Sequence, residues 1–288
     1  MTLWRELFDP SAPETPGERL HTKLYELVIV ALGITYTWLW AFELSDRHRV
    51  IEPQGIGRYL DVSWLFDRRA ALANAALMSA LALAGLLGAR GKLYLLAVAS
   101  MHLQFAARYS LGKTSHGSHL VGVSLLSFGL CGLLFERRLM RRAAMGLSLL
   151  IFGIGYSSAA ACKLIATGPR WVDGRNLWLW IEEKQLDYIA QTGSYQLSWL
   201  QHLLMQSRVL SSAVLAVGLL TELRAWLMWW KKPRPVVLLA IVAMHVGIEL
   251  TLDIAFTANI VVLLTLALPV GAWFDRLSAR STFSPGEQ

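Results

Sequence analysis

The residues with the clearest chemical potential in this sequence are ionisable groups set into apolar runs. Lys163 ends the small-residue stretch GYSSAAACK, and a polar turn follows at once with Gly168, Pro169, Trp171, Asp173 and Gly174. A lysine beside hydrocarbon is costly, and an ionisable residue in such a place is a functional candidate by default. Burial disfavours the ammonium form, so a partly desolvated Lys163 is expected to act as an amine base near neutral pH. The competing reading is structural: a lysine at a helix end lays its stem along apolar surface and leaves the ammonium among the lipid headgroups.

Other polar residues stand in comparable positions. Lys113, His116 and His119 fall within GKTSHGSH, with His119 opening the next apolar run. His245, Glu249 and Asp253 recur every four residues and so share one helical face, and Asn259 lies in the run that follows. Polar side chains at membrane depth must find partners inside the protein. His119, Lys163, His245 and Glu249 are therefore expected to line one pocket in the outer half of a bundle. His245 and Glu249, one turn apart, also have the spacing of metal ligands, but there is no HExxH and no clustered His/Cys set, so no metal is expected. Nucleophile-elbow, phosphate-loop and dinucleotide patterns are missing as well.

The elements that must position these groups are transmembrane helices. Of 288 residues, 55% are hydrophobic and 16% charged, and the mean hydropathy is +0.45. Soluble domains carry nearer a quarter charged residues. The apolar excess is gathered into blocks of bilayer-spanning length, about 20 residues each. The fold class is thus an all-α polytopic transmembrane helix bundle of about eight spans, near 24–43, 70–88, 93–109, 119–135, 143–165, 209–230, 236–253 and 255–274. Residues 1–23 form a cytoplasmic N-terminal segment, 24–275 the transmembrane domain and 276–288 a cytoplasmic tail. No internal repeat is evident, and neither cysteine, Cys131 or Cys162, belongs to a CxxC pair.

The net charge of +7 and pI near 9.6 do not indicate nucleic acid. The basic residues sit in short loops, at Arg90 and Lys92, Arg137–Arg142, Lys231–Arg234, and Arg276 and Arg280. With eight spans all four loops fall on one side, which the positive-inside rule makes cytoplasmic. Both termini are then inside, and the loops 44–69, 112–118 and 167–207 face the other side. The last of these, with NLWLWIEEKQLDY, has the pattern of a helix lying in the interface or packing as a lid. The partner expected for the whole chain is the lipid bilayer, in a plasma (inner) membrane with the pocket facing the non-cytoplasmic side.

Three stretches together resemble a known family. AACKLIATGPRWVDG resembles the segment around the catalytic lysine of vitamin K-dependent gamma-carboxylases, on Lys163, Leu164, Trp171, Asp173 and Gly174. KTSHGSHL resembles that family's Lys-Thr-Ser segment with a histidine six residues on, here Lys113 and His119. LLAIVAMHVGIELTL resembles a later span whose histidine matches His245. The three occur in the family's order and cover much of residues 100–265, which points to the membrane domain of the HTTM, or vitamin K-dependent carboxylase-like, group.

The resemblance implies an integral membrane enzyme acting on a reduced quinone, vitamin K hydroquinone or menaquinol-like, with O2 and CO2 as co-substrates. In the family the lysine acts as base on the hydroquinone. Its anion reacts with oxygen, and as the epoxide forms a strong base arises that deprotonates a peptide glutamate for carboxylation. Carried over, Lys163, His119 and His245 are the catalytic residues. Lys113, His116, Trp171, Asp173, Glu249 and Asn259 contact substrate, a peptide or protein on the non-cytoplasmic side. Two features depart from the pattern: no counterpart of the strand-rich lumenal domain follows the last span, and the spacer from Lys163 to Trp171 is longer. The alternative is a non-enzymatic export or assembly helper, or a transporter, on the same fold; a transporter is expected to show pseudo-symmetric halves, and none is evident. The topology is tested by labelling single-cysteine variants: a cysteine at position 139 should be inaccessible from outside intact cells, and external labelling there overturns the orientation.

Overall fold

The computed structural model describes residues 2–8, 13–45, 52–112 and 116–281, and the regular structure among them is helical throughout. In chain order the helices are α1 (Leu3–Leu7), α2 (Pro16–Ser45), α3 (Arg68–Leu87), α4 (Leu93–Tyr109), α5 (His119–Leu134) and α6 (Arg137–Thr167). They continue with α7 (Gly174–Thr192), α8 (Trp199–Gln206), α9 (Arg208–Leu223), α10 (Arg234–Leu252), α11 (Thr257–Ala267) and α12 (Val270–Ser281). Each apolar run read from the sequence holds a helix, but the helices differ in reach. Five are long and apolar enough to cross a membrane: Pro16–Leu44, Arg68–Leu87, Arg137–Val172, Arg234–Leu252 and Thr257–Ala279. A sixth arises if α8 and α9, bent by 108°, are counted as one. α4 and α5 have 17 and 16 residues, about 24–26 Å of helix at 1.5 Å per residue against a hydrocarbon core of about 30 Å.

The chain divides into two compact units, 1–149 with 268–288 and 150–267, so α6 belongs to the first as far as Leu149 and to the second from Leu150. In the first unit α2, α3, α4 and α5 pack on one another through small residues. Ala71 and Ala75 of α3 meet Ala41 of α2. Buried amide and hydroxyl groups then tie α3 to α4. Asn74 Nδ2 donates to the Ser100 carbonyl at 3.0 Å, Ser100 Oγ donates to Asn74 Oδ1 at 2.9 Å, and Gln104 Nε2 donates to the Ala71 carbonyl at 2.8 Å. Such bonds contribute on the order of 1 kcal/mol each in a membrane bundle, enough to set register.

Both ends of α3 are explicit in its sequence. Asp67 accepts from the Ala70 amide at 2.9 Å as N-cap, supplying one of the acceptors that the first turn lacks. Gly88 closes the helix at φ 99°, a conformation that favours glycine. The Arg137 guanidinium donates to the carbonyls of Leu86 and Gly85 and so occupies the open end of the helix.

The loop arginines have carboxylate partners on α2 and just before it. Arg142 donates to Glu18 through Nε at 2.6 Å and Nη2 at 2.8 Å, a bidentate geometry. Arg138 Nε lies 2.5 Å from Glu14. Arg141 Nε lies 2.6 Å from Glu26 Oε2, and the Tyr94 hydroxyl donates to Glu26 Oε1 at 2.7 Å. Glu26 is wholly buried. Asp275 of α12 accepts from Thr15 Oγ1 at 2.7 Å and from the Gly17 amide at 2.8 Å.

In the second unit, α7 and α8 occupy the stretch read as an interfacial helix or lid. Leu177 and Ile181 of α7 are buried against Leu204 of α8 and Leu215 of α9. Ser198 and Gln201 form a reciprocal capping box at the start of α8. Gly153 of α6 allows the Trp229 indole to lie directly on the helix backbone; an added Cβ would overlap it. Glu26→Gln is expected to destabilise the protein by about 3–5 kcal/mol, because Arg141 is left buried without its counter-charge. Glu26→Leu with Arg141→Leu should recover much of that loss, and thermal unfolding in nanodiscs measures both.

Candidate functional site

Lys163 and His245 both belong to the second unit, and α6 brings chemistry to both. Tyr156 and Lys163 are seven residues apart, which sets them on one face of α6 two turns from each other. Lys163 does not run out to the surface. Its Nζ lies 2.5 Å from Glu222 Oε2, with side-chain exposures of 29% and 11%. The same Nζ sits 4.8 Å from the centroid of the Trp171 ring, within the range of a cation–π contact. The lysine is thus an ion-paired amine held between a carboxylate of α9 and an indole from the turn after α6.

The spans read from the sequence put Glu222 toward the cytoplasmic side and Lys163 at the outer boundary, yet the two are in contact. The helix lengths give the reason. α9 has 16 residues and ends at Leu223, about 24 Å of helix, and it passes into a 3₁₀ turn over Ala225–Trp229. The run 209–230 is therefore not one straight helix, and Glu222 stands at its end. Ser157 of α6 secures that end: its Oγ lies 3.4 Å from the carbonyls of Glu222 and Leu223 and accepts from the Trp226 amide at 3.2 Å.

His245 is the second polar centre. Its ring is 4% exposed and stacks on Phe256 at 4.3 Å between centroids. Nε2 lies 2.6 Å from the Tyr156 hydroxyl. Nδ1 is buried without a hydrogen-bond partner among the described residues. A buried orphan nitrogen is costly, which makes it a contact point for a polar ligand atom. Tyr156 and Phe256 are functional candidates that sequence reasoning passed over, and Glu222 was read only as a polar residue toward the cytoplasmic side of its span. The signal available was an acid and a phenol within apolar runs, too common a feature to single them out.

The remaining expected residues separate by role. Glu249 is half-buried on α10 one turn beyond His245, and Asn259 is buried on α11. Asp173 does structural work. It is the N-cap of α7, accepting from the Arg175 amide at 3.1 Å, and it is gripped by Arg208 through Nε at 3.0 Å and Nη2 at 2.8 Å. Hydrogen bonds from Arg175 first, and then from Arg208, hold its carboxyl well below the usual carboxylate range. Trp171 combines its contact with Lys163 with packing on Trp180, 5.7 Å between centroids.

His119 belongs to the first unit, at the start of α5, with its ring edge-on to Phe105 at 5.6 Å. Phe105 also stacks on His102 at 5.8 Å and lies 6.0 Å from Trp40. His116 opens a 3₁₀ turn, His116–Ser118, and Lys113 lies outside the described residues. No group of three or more His, Cys, Asp or Glu side chains comes together as metal ligands among the described residues. The chain matches no protein-family model, no curated protein and no solved structure.

The Asp173 geometry predicts a pH response. Because its folded pKa is depressed, its contribution is complete above the unfolded carboxylate value of about 3.9 and is lost only as pH falls further, through the lower folded value. Hydrogen exchange at the first turn of α7 should therefore keep its protection at pH 4. Asp173→Asn should lower that protection at every pH, whereas wild-type loss between pH 5 and 4 contradicts the assignment.

Proposed function

We propose that this chain is an integral membrane enzyme of the vitamin K-dependent carboxylase-like class, with Lys163 as a base toward a quinol. The observation that carries the reading is the Lys163–Glu222 pair. An amine is held at 2.5 Å from a carboxylate, with an indole face 4.8 Å away, and Tyr156 on the same face of α6 bonds His245 of α10. The resemblance around Lys163, Lys113–His119 and His245 supports the class. In this reading the chain crosses the membrane eight times with both termini cytoplasmic, α4 and α5 included, in a plasma (inner) membrane with the site facing the non-cytoplasmic side. Glu249 and Asn259, in the same unit as Lys163, contact substrate.

The residues of the second unit fit a quinol in two respects. The unpartnered Nδ1 of His245 offers a hydrogen bond to a ring oxygen, and the Trp171 face offers a flat apolar surface. When bound, the quinol supplies the reducing equivalents for reaction with O2; carboxylation with CO2 of a peptide glutamate or another substrate is the coupled step in the family. The chain's own part is proton handling. Lys163 passes its ammonium proton to Glu222 Oε2, 2.5 Å away, and the neutral amine that this leaves accepts the quinol's proton at Nζ, giving a quinolate, an ammonium and a neutral Glu222 carboxyl. The Tyr156 hydroxyl orients the His245 ring through Nε2, leaving Nδ1 for the substrate.

Glu222 sharpens the test of this role. Lys163→Arg keeps a cation opposite Glu222, so the helix pairing survives, but arginine stays protonated and cannot accept a proton. Oxygen-dependent consumption of a reduced quinone in proteoliposomes should fall by at least a hundredfold in Lys163→Arg, while thermal stability changes little. Lys163→Met should lose both turnover and stability, since Glu222 is left without a partner. A fully active Lys163→Arg protein makes the ion pair purely structural and favours the non-enzymatic alternative.

A further inference from the structure

Away from Lys163, the first unit contains a cavity of about 690 Å³, within the range of small-molecule sites, about 300–1,000 Å³. α2, α4 and α5 form its walls. Its two ends differ in chemistry. Leu95, Val98 and Leu126 line one end with hydrocarbon, and Trp40, His102, Phe105, Ser118 and His119 line the other. Gly129 of α5 lies against Leu95 of α4, so the helices run antiparallel and the aliphatic residues of both share one end. From Leu95 to Phe105 the lining follows ten residues of α4, about 15 Å of helix. Among the described residues the lining contains no lysine, arginine, aspartate or glutamate. A charged headgroup would be stripped of water there without a counter-ion, which is strongly unfavourable.

Small residues keep the space open. Gly122 lines the cavity, and a Cβ added there would meet no atom within 4 Å. Ala99 and Leu126 line it as well and are exposed. The cavity therefore reaches the surface between α4 and α5, beside the exposed Leu96 and Leu130. An opening among leucines admits molecules dissolved in hydrocarbon.

We propose that this cavity binds one uncharged single-chain lipid. Its hydrocarbon chain lies along Leu95, Val98 and Leu126, and its hydroxyl or carbonyl head meets His119, His102 and Ser118. The His102 ring stacked on Phe105, with Trp40 tilted against Phe105 at 56°, gives the head an aromatic wall. The His102 imidazole serves as donor or acceptor to a neutral oxygen head, and the otherwise apolar lining disfavours a phosphate. The site is independent of the Lys163 chemistry and stands if that reading fails.

The test uses the full-length protein in phosphatidylcholine nanodiscs with 1-oleoylglycerol as probe, and native mass spectrometry as readout. One probe molecule per chain should remain bound under conditions that strip phosphatidylcholine. Gly122→Phe fills the open space and should lower bound probe at least tenfold. Leu130→Phe, on the same helix at an exposed position, should leave it unchanged. His119→Phe keeps the ring volume and should erase the preference for 1-oleoylglycerol over hexadecane. Probe lost equally in Gly122→Phe and Leu130→Phe, or displaced by phosphatidylcholine, means annular lipid only and overturns the proposal. If Gly122→Phe does not fold, Ala99→Leu fills the same cavity from α4, and retention of probe in that variant also overturns it. Quinone turnover that persists in a probe-free Gly122→Phe protein separates this site from the Lys163 chemistry.

Discussion

A charge inside an apolar protein must be met by an opposite charge, and much of this fold follows from that constraint. Glu26 is completely buried, and it is tolerated because Arg141 and the Tyr94 hydroxyl occupy both carboxylate oxygens. Those contacts join α2, α4 and the start of α6 at one point. Glu18 with Arg142 and Glu14 with Arg138 extend the join along α6. At a distance along the first unit, Arg108 Nε is 2.5 Å from Glu43. Each pair restricts how two helices can slide past one another, since displacement by one residue would strand a desolvated ion.

The second unit obeys the same rule with a different outcome. Lys163 finds Glu222, but the pair retains partial exposure and has the Trp171 ring as an aromatic neighbour. Here the counter-charge does more than tie α6 to α9. It keeps an amine at a fixed place in a partly desolvated setting, where the hydrogen bond to the carboxylate is strengthened. Small residues make the arrangement feasible. Gly153 lets Trp229 reach the α6 backbone, and Ser157 holds the end of α9 where Glu222 projects. Bulkier residues at either position would push α9 away and leave the lysine alone.

Legibility in the sequence varied with the range of the interaction. The helical class and the helix positions were readable because each depends on neighbours within a few residues. Lys163 and His245 were readable because an ionisable group within an apolar run is anomalous wherever it occurs. The basic residues of 137–142 were readable as topogenic charges, but not as partners of Glu14, Glu18 and Glu26, because a loop arginine looks the same in either role. Asp173 was read as a substrate contact, and its work as a helix cap with Arg208 emerged only from the coordinates.

The sequence by itself determined that this chain is helical, that several of its helices can cross a membrane, and that a few ionisable groups lie within those helices. Helical periodicity and hydrophobicity are local properties, so they survive without a fold. Tertiary structure decided which ions meet. Lys163 and Glu222 are 59 residues apart, and Tyr156 and His245 are 89 apart. It also decided that the run 209–230 breaks after Leu223, and that Gly122 opens onto a cavity rather than a neighbouring side chain. These outcomes depend on the rotation and height at which one helix packs on another. Side-chain shape over many contacts sets that geometry, and no short window of sequence contains it.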